Sequence, residues 1–210
     1  MFKKYVKYLT LVLLTYSSCF NNAISSNLKL SKQYFEKGLK YQRDGQEDKA
    51  ILFYTKAIEQ NPKNIEALEN RGFVYTEDID NNEKAISDFS KVIILDPKNT
   101  TAYTSRASCY AIAGNFKLAL VDLNKAIELY PNDSQTFEQR ADVNIRLSNF
   151  KQAISDLKQA QKLAPDLYQD AESKKHLNGE IAECEKFIKN NYKFDDQQFT
   201  INGEPLKCIH

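Results

Sequence analysis

The chain has 210 residues, 42% of them apolar and 27% charged, and its 29 basic residues nearly balance 28 acidic ones. That balance argues against a general nucleic-acid binder, which needs a basic face. Six glycines and five prolines are too few for a disordered or fibrous chain, and the length suits one domain or one array with appendages.

Lys3, Lys4 and Lys7 precede an apolar run, Tyr8 to Tyr16, that is too short to span a bilayer as a helix. The basic start, the short apolar core and the small residues Ser17 and Ser18 predict a secretory signal peptide over residues 1–23. Cys19 comes next. Small residues and then cysteine resemble the processing site of bacterial lipoproteins, in which that cysteine is lipidated. Tyr16 departs from that pattern, which usually has Leu there. The segment predicts an exported protein: a lipoprotein anchored to a membrane of the cell envelope through Cys19, or a secreted or periplasmic one. Residues 24–30 are polar and read as a linker.

From Ser31, expected to cap the first long helix, to Pro165 the chain repeats itself. Phe116, Ala119, Leu120, Leu123, Ala126 and Ile127 lie on one stripe of a 3.6-residue period, and Pro131 stops that helix. Gly114 ends the segment before it, and Asn115 is a suitable N-cap. The same stretch recurs at Ala50–Pro62, Ala85–Pro97 and Ala153–Pro165, with prolines 35, 34 and 34 residues apart. A fixed period of this size predicts a repeat array. Four helix pairs are expected, over 31–62, 64–97, 99–131 and 133–165.

The first helix of each pair carries a small residue, Gly38, Gly72, Ala107 or Ala141, and the second carries Ala50, Ala85, Ala119 or Ala153 to face it. Tyr54, Phe89, Leu123 and Leu157 follow, then Ala57, Val92, Ala126 and Ala160, then the proline. Tyr41, Tyr75 and Tyr110 recur in the first helices, with Asn144 in their place in the last repeat. This pattern resembles the tetratricopeptide repeat (TPR). Small residues let helix axes approach closely, and neighbouring pairs must stack to bury their apolar stripes. The resemblance implies an all-α fold, a right-handed α-solenoid of four helix pairs. Leu177, Ile181, Cys184 and Ile188 predict a further helix within 166–192, whose charged outer face suits a cap. Residues 193–210 read as an extended tail, with a short extended piece at Phe199 and Ile201 before Asn202-Gly203.

Catalytic and metal signatures do not stand out. His176 and His210 lie in no metal spacing, and no phosphate loop, GxSxG or HExxH is present. Cys109 reads as a buried small hydrophobe, and Cys184 with Cys208 as a candidate pair. No enzyme activity, cofactor, metal or nucleic acid is expected. The resemblance implies instead a protein-interaction scaffold that binds a partner peptide or protein on the inner surface of the stack. The alternative is a structural subunit of an envelope assembly with no free peptide ligand. The matching inner positions are Lys32, Phe35 and Leu39; Glu66, Glu69, Phe73 and Glu77; Thr101, Thr104, Ser108 and Ile112; and Gln135, Glu138, Asp142 and Ile145. The Lys and Asn clamp that some relatives use for a chaperone C-terminus is missing, since Phe35, Leu39, Glu69, Phe73, Ser105, Gln135 and Gln139 stand there. Acidic second and fourth repeats predict a partner segment carrying Lys or Arg, with an apolar anchor near Phe35 and Phe73. The chain's own tail, Phe194 to Ile209, is a rival occupant. Arg71, Arg106 and Arg140 form one column of the repeat and Asp88, Asp122 and Asp156 another, which predicts Arg–Asp pairs between helices.

Overall fold

The computed structural model describes residues 25–77, 81–169 and 171–190, together with Thr200–Ile201 and Glu204–Pro205. These hold nine α-helices: α1 (25–43), α2 (Glu47–Gln60), α3 (Ile65–Thr76), α4 (Asn82–Leu95), α5 (Thr100–Ile112), α6 (Phe116–Leu129), α7 (Ser134–Arg146), α8 (Phe150–Leu163) and α9 (Ala171–Lys189). A 3-10 turn, Pro165–Tyr168, precedes α9. Thr200–Ile201 (β1) pairs antiparallel with Glu204–Pro205 (β2), Thr200 opposite Pro205 and Ile201 opposite Glu204. Helices α1–α4 belong to one compact lobe, and α5–α9 to a second that begins at Asp96.

The first helix already includes residues 25–30, the stretch expected to be linker. Ser31 is not its cap. The Ser31 side chain is buried, its hydroxyl donates to the Ala57 carbonyl at 2.7 Å, and it accepts from Asn64 Nδ2 at 3.0 Å. A hydroxyl engaged by α2 and by the α2–α3 turn fastens α1 to its neighbours instead of ending it.

Later helix starts use short polar side chains. Asn64 and Asn99 accept from the amides of Ala67 and Ala102 at 2.9 and 2.8 Å, relieving two of the unpaired first-turn N–H groups. Asn115 holds the N-cap position of α6, but its side chain makes no capping bond, and its backbone carbonyl accepts from Leu118 and Ala119. The turn before it needs a left-handed residue. Gly114 supplies it at φ +74°, and Ser148 takes the matching role before α8 at φ +59°.

In the N-terminal lobe the helix pairs close on glycine. A Cβ at Gly38 would lie 2.5 Å from the Tyr54 ring, and one at Gly72 would lie 3.0 Å from the Phe89 ring. In the C-terminal lobe alanines 107 and 141 stand at the matching positions, and leucines 123 and 157 replace the rings. Each repeat therefore divides one fixed volume between its two helices. Leu177 and Cys184 of α9 complete the last cluster with Ala141, Phe150, Ala153 and Leu157, and Phe187 stacks on Phe150 with centroids 5.2 Å apart. The helix runs unbroken through Gly179, which is exposed, so its lower helix propensity is outweighed by the apolar stripe on either side.

Three bidentate ion pairs tie first helices to second. Arg71 donates to Asp88 at 2.7 and 2.8 Å, Arg106 to Asp122 at 2.8 and 2.8 Å, and Arg140 to Asp156 at 2.9 and 2.7 Å. All three aspartates are buried. Arg71 also reaches Thr55 on α2, and Arg140 reaches Asn124 on α6, so each links its repeat to the preceding one. The bonds to Asp88 and Asp122 hold the guanidinium pKa values of Arg71 and Arg106 above the ordinary arginine value, against the opposing effect of burial. Arg71 and Arg106 lie over the rings of Tyr75 and Tyr110, at 5.8 Å in both cases. Asn144, which stands where an aromatic was expected, donates instead to Asp156 at 3.2 Å.

Candidate functional site

The expected inner-surface residues lie on first helices, and each lobe presents its own set. In the N-terminal lobe Phe35 and Leu39 come from α1. Both are half-buried: Phe35 packs 5.8 Å from Tyr54, and Leu39 lies against the Ala50, Tyr54 and Val74 cluster. Phe73 meets Phe89 edge-on at 5.3 Å. These apolar side chains therefore serve the core with one edge and show the other. Phe35 borders a cleft of about 320 Å³ with Lys32, Lys63 and Glu66, so this end of the lobe has mixed charge. Glu66 and Glu77 are exposed and Glu69 is half-buried.

The C-terminal lobe has a cleft of about 1160 Å³ bordered by Leu120, Asn124, Arg140, Asn144, Phe150 and Phe187, which holds none of the expected inner-surface residues, and two smaller clefts that do. The larger of these two, about 510 Å³, brings Glu138, Asp142 and Ile145 of α7 together with Tyr168 and with Glu172, His176 and Glu180 of α9. Among the described residues, four carboxylates and no lysine or arginine line it. The Tyr168 hydroxyl donates to Glu138. Burial, followed by the carboxylates of Glu180 and Asp133, pushes Glu138 above the usual carboxylate range, while His176 pulls it down. Glu180 is raised mainly by burial, with Asp142 and Glu183 adding to it and His176 opposing.

The smaller cleft, about 170 Å³, lies between α5 and α7. It is lined by Thr104, Ser105 and Ser108, by Asp133, and by Gln135, Thr136 and Gln139. Thr101 and Gln135 are exposed, and Ile112 is exposed at the end of α5. Sequence reasoning missed the contribution of α9, because a cap read as a polar outer face gives no hint that Glu172 and Glu180 face Glu138. It named Ser105 and Gln139 only as residues that are not a clamp. Cys19, Cys208 and His210 lie outside the described residues, as does the rest of the tail apart from the hairpin. Cys109 is buried, which pushes its thiol up to about 11 and leaves it protonated and unreactive at neutral pH. Among the described residues no three His, Cys, Asp or Glu side chains are grouped to hold a metal ion.

Family models described as tetratricopeptide repeat match residues 32–64, 53–87, 100–133 and 134–167, together more than half of the chain. Among curated proteins, the photosystem I assembly protein Ycf3 of Prochlorococcus marinus is 37% identical over 67 residues, 29% of this chain and 38% of that protein. The matched stretch thus spans well under half of that relative. Among solved structures, a MamA protein superposes with a TM-score of 0.64 at 24% identity, covering 77% of this chain and 89% of the other, a likeness of fold. The TPR domain of Arabidopsis OM64 gives a TM-score of 0.53 at 28% identity, over 57% of this chain and 98% of that domain.

Proposed function

Because the chain belongs to the tetratricopeptide-repeat family, we propose that it is a non-enzymatic scaffold holding a segment of another protein against its first helices, and that this segment carries a lysine or arginine. The supporting observation is the carboxylate cleft of the C-terminal lobe. Glu138 and Glu180 are both raised by burial, and among the described residues His176, 3.9 Å from Glu180, is the one basic side chain that lines the cleft. Their charge is relieved when a partner supplies a cation, and a charged cleft also speeds encounter with an oppositely charged segment. Phe35 and Phe73 offer partly exposed rings for an apolar contact in the other lobe.

Crosslinking in the native cell with mass spectrometry identifies the partner. Glu138→Lys with Asp142→Lys should then weaken its capture and flatten the salt dependence of binding. Unchanged capture removes the cleft from the mechanism. The reading extends to location: Cys19 is the acylated first residue of the mature protein, which places the scaffold at a membrane of the cell envelope. Cys19→Ser should move the protein from the detergent phase to the soluble fraction. Unchanged partitioning, or a mature chain beginning at Ala23 or later, rejects the anchor.

A further inference from the structure

The smaller cleft between α5 and α7 differs in chemistry from the carboxylate cleft. Three of its hydroxyl protons are already committed. Thr104 donates to the Thr101 carbonyl at 3.0 Å, Ser108 donates to the Thr104 carbonyl at 3.1 Å, and Thr136 donates to Asp133. Those oxygens keep only lone pairs to offer. Asp133 adds a carboxylate, and the cleft lining holds no lysine or arginine. Gln139 completes the set: its Oε1 is shielded from solvent and accepts no hydrogen bond. Turning that amide toward the cleft therefore forfeits no bond, and it relieves a buried acceptor that lacks a donor.

The cleft adjoins the N-terminus of α7, whose dipole, equivalent to about half a positive charge, favours anions. Asp133 carries a full negative charge at that spot and already accepts from the Gln135 amide. The local sign is therefore negative. Several acceptors in a space of about 170 Å³ match a flat group with many donors better than a point charge. We infer that this cleft is a subsite for the guanidinium of an arginine in the bound segment, with Gln139 turning to accept from it. The inference rests on the peptide-binding reading above, and narrows its basic residue to arginine at this place.

The test uses the full chain and four short blocked peptides: Ac-Ala-Arg-Ala-NH2 and its lysine, citrulline and glutamate counterparts. Binding is followed by two-dimensional NMR of the Gln139 side-chain amide and the Ser105 and Ser108 backbone amides. The arginine peptide should move these signals and bind about tenfold more tightly than the citrulline peptide, which keeps the shape and loses the charge. Gln139→Leu should weaken the arginine peptide about fivefold, and Gln139→Glu should tighten it by about as much. Both variants should keep the wild-type amide spectrum elsewhere, since the Gln139 oxygen bonds to nothing in the fold. Equal response to citrulline or lysine, stronger response to glutamate, or indifference to both variants overturns the subsite. Unchanged partner capture in the Glu138→Lys, Asp142→Lys variant with arginine-peptide binding intact would instead fault the broader reading and leave the subsite standing.

Discussion

Asp156→Ala removes the carboxylate at the centre of the ion pair in the last repeat. The side chain is 2% exposed and accepts from Arg140 Nε at 2.9 Å, Arg140 Nη2 at 2.7 Å and Asn144 Nδ2 at 3.2 Å. Removing one member of a buried pair costs about 3–5 kcal/mol, because the survivor keeps an uncompensated charge. Here the survivor sits nearer the surface. The Arg140 guanidinium is 15% exposed and keeps Asn124 Oδ1 at 2.8 Å, so water and that amide recover part of the loss. The lost bond from Asn144 to that carboxylate, long at 3.2 Å, adds about 1 kcal/mol. The expected destabilisation is about 2–4 kcal/mol, read by urea denaturation followed through helical circular dichroism. Arg140→Met should cost at least as much, because the aspartate it strands is the more deeply buried partner. In a double-mutant cycle the two should couple by about 2 kcal/mol. The exposed pair Arg146–Asp142, at 3.8 Å, serves as control and should couple near zero. Coupling at Arg140–Asp156 no larger than in the control would refute the reasoning.

Three further outcomes are expected. Glu138 and Glu180 have folded pKa values raised above the ordinary carboxylate value, so the folded state binds more protons just above that value. Their effect on stability is most favourable below the unfolded pKa and is lost as pH rises through the folded values. Acidification from neutral pH through that window should therefore tighten the docking of α9, measured as protection of its amides against hydrogen exchange, and Glu138→Gln should flatten the response. Gly38→Ala places a methyl 2.5 Å from the Tyr54 ring and should cost about 1–3 kcal/mol in thermal unfolding; Tyr54→Leu in the same chain should recover most of it, and failure to recover would mean the ring is not the obstacle. Ala153→Leu should overpack the cluster shared with Ala141 and Leu157 at a cost of about 1–3 kcal/mol, and a neutral result would mean these helices do not meet there.

The helix pairs were legible because each is written in three signals that agree: an apolar stripe, a small residue at the crossing and a proline at the end. The Arg and Asp columns were legible for the same reason, since a charge recurring at the repeat period on both helices has few explanations besides a pair. Ser31 misled because a serine before an apolar run looks like a cap, and only the fold brings Ala57 and Asn64 to it. Asn144 looked like a defect in the pattern and is instead a donor to a carboxylate that the sequence places twelve residues away. Site residues were less legible than the fold. The carboxylate cleft depends on α9 turning back across α7, a geometry set by the 3-10 turn at Pro165–Tyr168 and by Leu177 and Cys184 burying themselves. Residue spacing along one helix carries no information about that return.

The division of volume between helices limits how this gene can be cut and rejoined. A chimera that took the first helix of the second repeat and the second helix of the third would set Gly72 against Leu123 and leave a void where a ring belongs. The reverse exchange would set Ala107 against Phe89, a methyl about 3.0 Å from the ring, so that the ring must give way by a few tenths of an ångström. Whole repeats are the smallest pieces that carry both halves of the fit, so recombination within a repeat should yield weak or misassembled arrays, while duplication or loss of an entire repeat leaves every such contact as it was.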